Sequence, residues 1–131
     1  MKMEHVALNV ADPVRMASWY EKHLGFEIAR KITTPPYTHF LRESGGAVMI
    51  EIYCNPADQV PSYSHMNPLL LHVAFVSANP DADKATLLAA GATLVEEQRH
   101  PDGSHLVMMR DPWGLAIQLC KRGTPMLRSN P

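Results

Sequence analysis

The chain has 131 residues, of which 46% are hydrophobic and 19% charged, with a formal net charge of −1. A chain of that size buries a core large enough to fold without a disulfide or metal staple, and its balanced charge excludes the strongly basic surface of a nucleic-acid or anionic-membrane binder. The partner it suits is a small molecule, with no nucleic acid and no membrane. No apolar run approaches the ~18 residues of a membrane span, and the opening MKMEHVALNV alternates like a strand rather than reading as a signal peptide. The expected location is therefore the cytoplasm, where Cys54 and Cys120, which follow no zinc or redox spacing, are expected to be reduced and partly buried thiols.

The first predicted element is a strand, HVALNV, whose period-2 alternation places His5, Ala7 and Asn9 on one face and Val6, Leu8 and Val10 on the other. Asp12 followed by Pro13 is a helix start. The helix is expected through VRMASWYEKHL, with Met16, Trp19, Tyr20 and Leu24 turned inward and a stop at Gly25. FEIARKI, YTHFLRE and AVMIEIY follow as strands, the last two joined by the turn residues RESGG. CNPADQVPSYSHMNP then carries Pro56, Pro61 and Pro68 and is expected to be an extended linker.

A second series begins at His72, where HVAFVSANP repeats the earlier HVALNVADP that begins at His5. Internal repetition of this kind is the signature of a duplicated structural unit. Asn79 and Pro80 start a helix expected through DADKATLLAA, with Ala85, Leu88 and Ala89 inward and a stop at Gly91. ATLVEEQ, SHLVMMR and LAIQLCK are its three strands, RDPWG supplying the last turn, and RGTPMLRSNP is expected to be irregular. The chain thus reads as α+β, one domain over 1–131 built from two tandem βαβββ modules (3–54 and 69–121) with a linker at 55–68 and a tail at 122–131. Helices cover one face of each sheet, so the curved mixed sheets are expected to enclose a cavity with their other faces.

Glu51 falls mid-strand on the face shared by Met49 and Tyr53. Gln118, on the face of Ala116 and Cys120, stands as far beyond Glu51 as His72 stands beyond His5. The repeat therefore carries one histidine and one oxygen donor per module: His5 with Glu51, and His72 with Gln118. Two imidazoles, a carboxylate and an amide oxygen suit a divalent Ni, Zn, Fe, Co or Mn ion with open positions for water or substrate. An isolated buried glutamate is otherwise costly, or is forced to protonate. The plainer alternatives are an ion pair of Glu51 with Arg42 or Arg110, and a Gln118 that merely lines the cavity. His39 and His105, on the third strand of each module, either face the cavity or lie exposed; His23, His65 and His100 read as surface residues. Trp19 and Tyr20 read as core, Trp113 as packed at a dimer seam or at the mouth of a site, Met49, Met108 and Met109 as plastic apolar lining, and Cys120 as filler.

HVALNVADP, WYEKHLGFE, AVMIEIY, HVAFVS and RDPWGLAIQL, in this order and spacing over residues 3 to 121, resemble the glyoxalase, bleomycin-resistance and extradiol-dioxygenase group, the vicinal oxygen chelate superfamily. The resemblance implies a metal held by His5, Glu51, His72 and Gln118, a homodimer, and lyase, isomerase or dioxygenase chemistry on a substrate chelated through neighbouring oxygens, with Glu51 as the catalytic group. The chain departs from the pattern at Gln118, where metal-dependent members usually carry glutamate; an amide can ligate but takes no proton near neutral pH. The alternative that the resemblance implies is a non-catalytic drug- or metabolite-binding protein of the bleomycin-resistance type.

Overall fold

The computed structural model describes residues 1–128, so the last three residues of the expected irregular tail lie outside the described residues. The chain forms two compact units, one ending at Pro61 and one beginning at Ser62.

The first unit runs β1 (His5–Asn9), α1 (Pro13–Leu24), β2 (Glu27–Lys31), β3 (His39–Arg42) and β4 (Met49–Tyr53). Its mixed sheet has the order β1-β4-β3-β2, with β1 parallel to β4 and the other pairs antiparallel. Helix α1 begins where an Asp12 oxygen accepts the Arg15 amide 3.1 Å away, Pro13 filling the first helical position. It ends at Gly25, whose left-handed φ of 69° lets its N–H return to the Tyr20 carbonyl. Met16, Ala17, Trp19 and Tyr20 are buried, as are Leu8, Leu41, Ile50 and Ile52 of the sheet and Val10 just after β1, while Leu24 is only half-buried. Asp12→Ala is expected to cost about 1 kcal/mol, read as a lowered urea midpoint at unchanged slope.

The second unit runs β5 (Val73–Val76), α2 (Pro80–Ala89), β6 (Thr93–Arg99), β7 (His105–Arg110) and β8 (Ala116–Lys121), with sheet order β5-β8-β7-β6 and the same mixture of parallel and antiparallel pairs. The two first-to-last strand pairings share one register. Ala7 lies opposite Glu51 and Ala74 opposite Gln118, both partners advanced by the same offset that separates His5 from His72, and the flanking pairs follow suit. Both sheets are open, so neither alone encloses the expected cavity.

Two expectations are corrected here. Helix α2 buries Pro80 and Leu87, whereas Ala85, Leu88 and Ala89 are exposed. The Asn79 cap and inward Pro80 fix the phase of the helix, and positions 80, 84 and 87 then share the inner face; alanines and leucines surround this helix, so its apolar pattern cannot choose a face. Within the stretch expected to be extended linker, Tyr63–His65 form a 3-10 turn with Tyr63 buried. Arg110 anchors that turn by donating to the carbonyls of Tyr63, Met66 and Gly114 at 2.8 to 3.0 Å. A guanidinium satisfied by main-chain carbonyls is invisible to local pattern.

Candidate functional site

In the first unit, alternation along β1 and β4 sends Leu8, Ile50 and Ile52 under the helix and leaves His5, Ala7 and Glu51 on the opposite face. There His5 Nε2 lies 3.2 Å from Glu51 Oε2, and the His5 ring meets Phe40 edge-on with centroids 5.9 Å apart. The other ring nitrogen, Nδ1, lies 2.9 Å from a Glu4 carboxylate oxygen. The Glu51 side chain is 18% exposed. Neither alternative arginine takes it: Arg42 pairs with Glu27 at 2.9 Å, and Arg110 is held by the carbonyls named above.

The corresponding face of the second unit carries Ala74, Met108, Gln118 and Cys120. Gln118 is half-buried and its oxygen accepts the Cys120 thiol at 3.2 Å. Burial pushes the Cys120 thiol up, with Arg122 opposing, so this cysteine is a poor thiolate. His72 is exposed, immediately precedes β5, and places Nδ1 2.8 Å from the Pro68 carbonyl. The donor chemistry of each unit fits a divalent ion. Two ligand atoms each ~2.1 Å from one ion stand roughly 3 Å apart, which is the spacing of His5 Nε2 and Glu51 Oε2; the Gln118 oxygen keeps a second lone pair beside its thiol bond.

His39 and His105 are both about 5% exposed, and both leave the candidate face. His39 sits opposite Ile52 on the helix side and directs Nδ1 to the Tyr37 carbonyl at 2.7 Å. The counterpart of His39 is Val107, opposite Leu119, because the third strands are displaced along the chain by one position more than the first and last strands. His105 places Nε2 2.6 Å from a Glu97 oxygen at 7% side-chain exposure.

His105 belongs to a cluster that the sequence reading missed. Ligand-capable atoms of Asp81, Glu97 and His105 lie within 4.8 Å of one another. Two cations already hold those carboxylates: Lys84 is 2.7 Å from Glu97, and Arg99 is 2.9 Å from Asp81 and 3.2 Å from Glu97. The group is therefore an ion-pair clasp from α2 to the edge strand β6. Its signal, acidic and basic residues facing each other from α2 and β6, needs the phase of α2 before it can be read.

The Lys84 ammonium, then the His105 ring, hold the Glu97 carboxyl below its ordinary 4.5; Arg99 lowers Asp81 from 3.8. Glu97 in turn raises Lys84, and Asp81 raises Arg99. The carboxylates' share of stability is thus present above their ordinary values and lost as pH falls through the lowered ones; the cations' share is present below their ordinary values and lost as pH rises through the raised ones. Glu97→Gln is expected to flatten the acid limb of urea stability below about pH 4.5; an unchanged limb would mean the clasp does not contribute.

Among the described residues no helix is long and apolar enough to cross a membrane. The family model described as Glyoxalase/Bleomycin resistance protein/Dioxygenase superfamily matches residues 2–119. No curated protein matches the chain. Among solved structures, a glyoxalase family protein from Enterococcus faecalis is 26% identical with a TM-score of 0.70, covering 92% of this chain and 97% of its own. A glyoxalase/bleomycin resistance protein from Albidiferax ferrireducens T118 is 25% identical with a TM-score of 0.65, over 92% and 98%. An antibiotic binding protein, TnmS3 from Streptomyces sp. CB03234, is 18% identical with a TM-score of 0.71, over 93% and 96%, a likeness of fold.

Proposed function

We propose that this chain, which belongs to the Glyoxalase/Bleomycin resistance protein/Dioxygenase superfamily, is a cytoplasmic, homodimeric metal-dependent protein of lyase, isomerase or dioxygenase type. The reading takes residues 3–54 and 69–121 as two halves of one domain, with His5, Glu51, His72 and Gln118 as the ligand set for Ni, Zn, Fe, Co or Mn. The observation that carries it is the 3.2 Å approach of His5 Nε2 to Glu51 Oε2 on the face turned from the helix. A bound divalent ion would supply Lewis-acid stabilisation of charge on two neighbouring substrate oxygens.

The chain's own residues divide the remaining work. Glu51 is the carboxylate able to hold or return a proton at Oε2; Gln118 cannot replace it, because an amide does not take a proton near neutral pH. Phe40, opposite Glu51 in its sheet, and Met49 on the same face give Glu51 apolar neighbours, and Met108, opposite Gln118, does so in the second unit.

A second reading, a protein that sequesters a drug or metabolite without chemistry, is favoured by one observation: the amide of Gln118 stands where metal-dependent relatives usually carry a carboxylate. The two readings part on a titration of the Co(II)-loaded full chain with acetohydroxamate, a bidentate oxygen donor, followed by visible absorption. The metal-dependent reading expects a saturable spectral change that acetate does not reproduce. No change, together with tight binding of an apolar drug by the metal-free protein, would overturn it.

A further inference from the structure

We infer that Glu4 and the main-chain carbonyl of Pro68 are the positioning groups of the two histidines, holding His5 and His72 in the tautomer that turns a bare Nε2 outward; the inference rests on the reading that both histidines ligate a metal. A carboxylate and a carbonyl are acceptors only, so a ring nitrogen bonded to either carries the hydrogen. His5 Nδ1 meets Glu4 Oε1 at 2.9 Å and His72 Nδ1 meets the Pro68 oxygen at 2.8 Å. In both neutral rings the lone pair therefore sits on Nε2. In the first unit that lone pair faces Glu51 Oε2 at 3.2 Å, so two electron-rich atoms confront each other. A cation between them satisfies both, and the pairing on the far side of the ring strengthens the donor.

The two supports differ. Glu4 is charged, on the residue next to His5, with 73% of its side chain exposed; Pro68 offers a neutral dipole four residues before His72, from the segment next to the turn that Arg110 anchors. The Glu4 main chain accepts the Met49 amide at 2.8 Å, so a side-chain change at this position leaves the strand pairing intact.

The test has two parts that fail independently. Long-range proton–nitrogen correlation spectra of the metal-free full chain, at a pH where the rings are neutral, are expected to show the Nδ1–H pattern for His5 and His72, with His39, bonded through Nδ1 to Tyr37, as the internal reference. The Glu4→Ala variant is expected to move His5 to the Nε2–H pattern, because Glu51 Oε2, 3.2 Å from Nε2, is then the carboxylate left beside the ring, while His72 keeps its own. Calorimetric titration with Ni(II) is then expected to show roughly tenfold weaker binding for Glu4→Ala, the low end for outer partners because Glu4 is exposed, and a smaller loss for Glu4→Gln, which keeps an acceptor. An unchanged His5 pattern and equal Ni(II) affinity in Glu4→Ala would overturn the inference. Absence of Ni(II) binding by the unaltered chain would overturn the ligand reading instead, leaving the tautomer result to stand or fall by its spectra.

Discussion

If the proposed ligand set holds, Glu51→Ala is expected to weaken divalent-ion binding by on the order of 100-fold or more, since it would remove a ligand charge rather than an outer partner. Stability of the metal-free protein is expected to change little. The carboxylate sits half-buried beside Phe40 and His5, away from the face where Ile50 and Ile52 form the core, so its removal opens no cavity and relieves a desolvated charge. Calorimetric titration with Ni(II) or Zn(II), alongside urea unfolding of the apo protein, separates these effects. A variant that loses stability and keeps its metal would mark Glu51 as a structural partner of His5 and nothing more.

Gly114→Ala carries the second large effect, and it acts on folding. Gly114 closes the β7–β8 turn at a φ of 90°, where an alanine is strained, and a Cβ there would stand 2.6 Å from the Ser64 amide nitrogen and 2.8 Å from its Cα. Backbone atoms cannot swing aside as a long side chain does. The turn at Tyr63–His65 must therefore lift, dragging the buried Tyr63 and the Arg110 bonds with it. The expected loss is about 2–4 kcal/mol, combining overpacking with left-handed strain. Urea unfolding measures it; a loss under about 0.5 kcal/mol, the range of an ordinary surface substitution, would contradict the close packing of residues 62–66 on the hairpin.

The parts of the fold legible from the sequence are those governed by local rules. Asp12-Pro13 and Asn79-Pro80 mark helix starts by hydrogen-bonding chemistry confined to three residues. Two-residue alternation sorts Ile50 and Ile52 from Glu51 without any tertiary information. The repeat adds a tertiary fact, because strands paired in one register in the first unit pair alike in the second, opposing Ala7 to Glu51 and Ala74 to Gln118.

What escaped the sequence depends on longer reach. One extra residue before the third strand makes Val107 the counterpart of His39 and leaves His105 two positions short of it, a difference set by strand pairing and not by the repeated phrases. Helix α2 scatters its apolar residues around its circumference among Asp81, Asp83, Lys84 and Thr86, and only the inward Pro80 and Leu87 reveal that Lys84 reaches Glu97. Glu4 escaped for another reason: its neighbour His5 holds the attention of any metal-ligand pattern, while outer partners follow no fixed spacing.

The most direct test of the central claim is elemental analysis of the full chain purified without a histidine tag or chelator, beside a His5→Ala, His72→Ala double variant. Near-stoichiometric Fe, Ni, Zn, Co or Mn in the unaltered chain, lost in the variant, is the predicted result. A chain that holds no metal even after reloading with each of these ions would contradict the account, leaving the histidines as polar residues of a ligand-sequestering face.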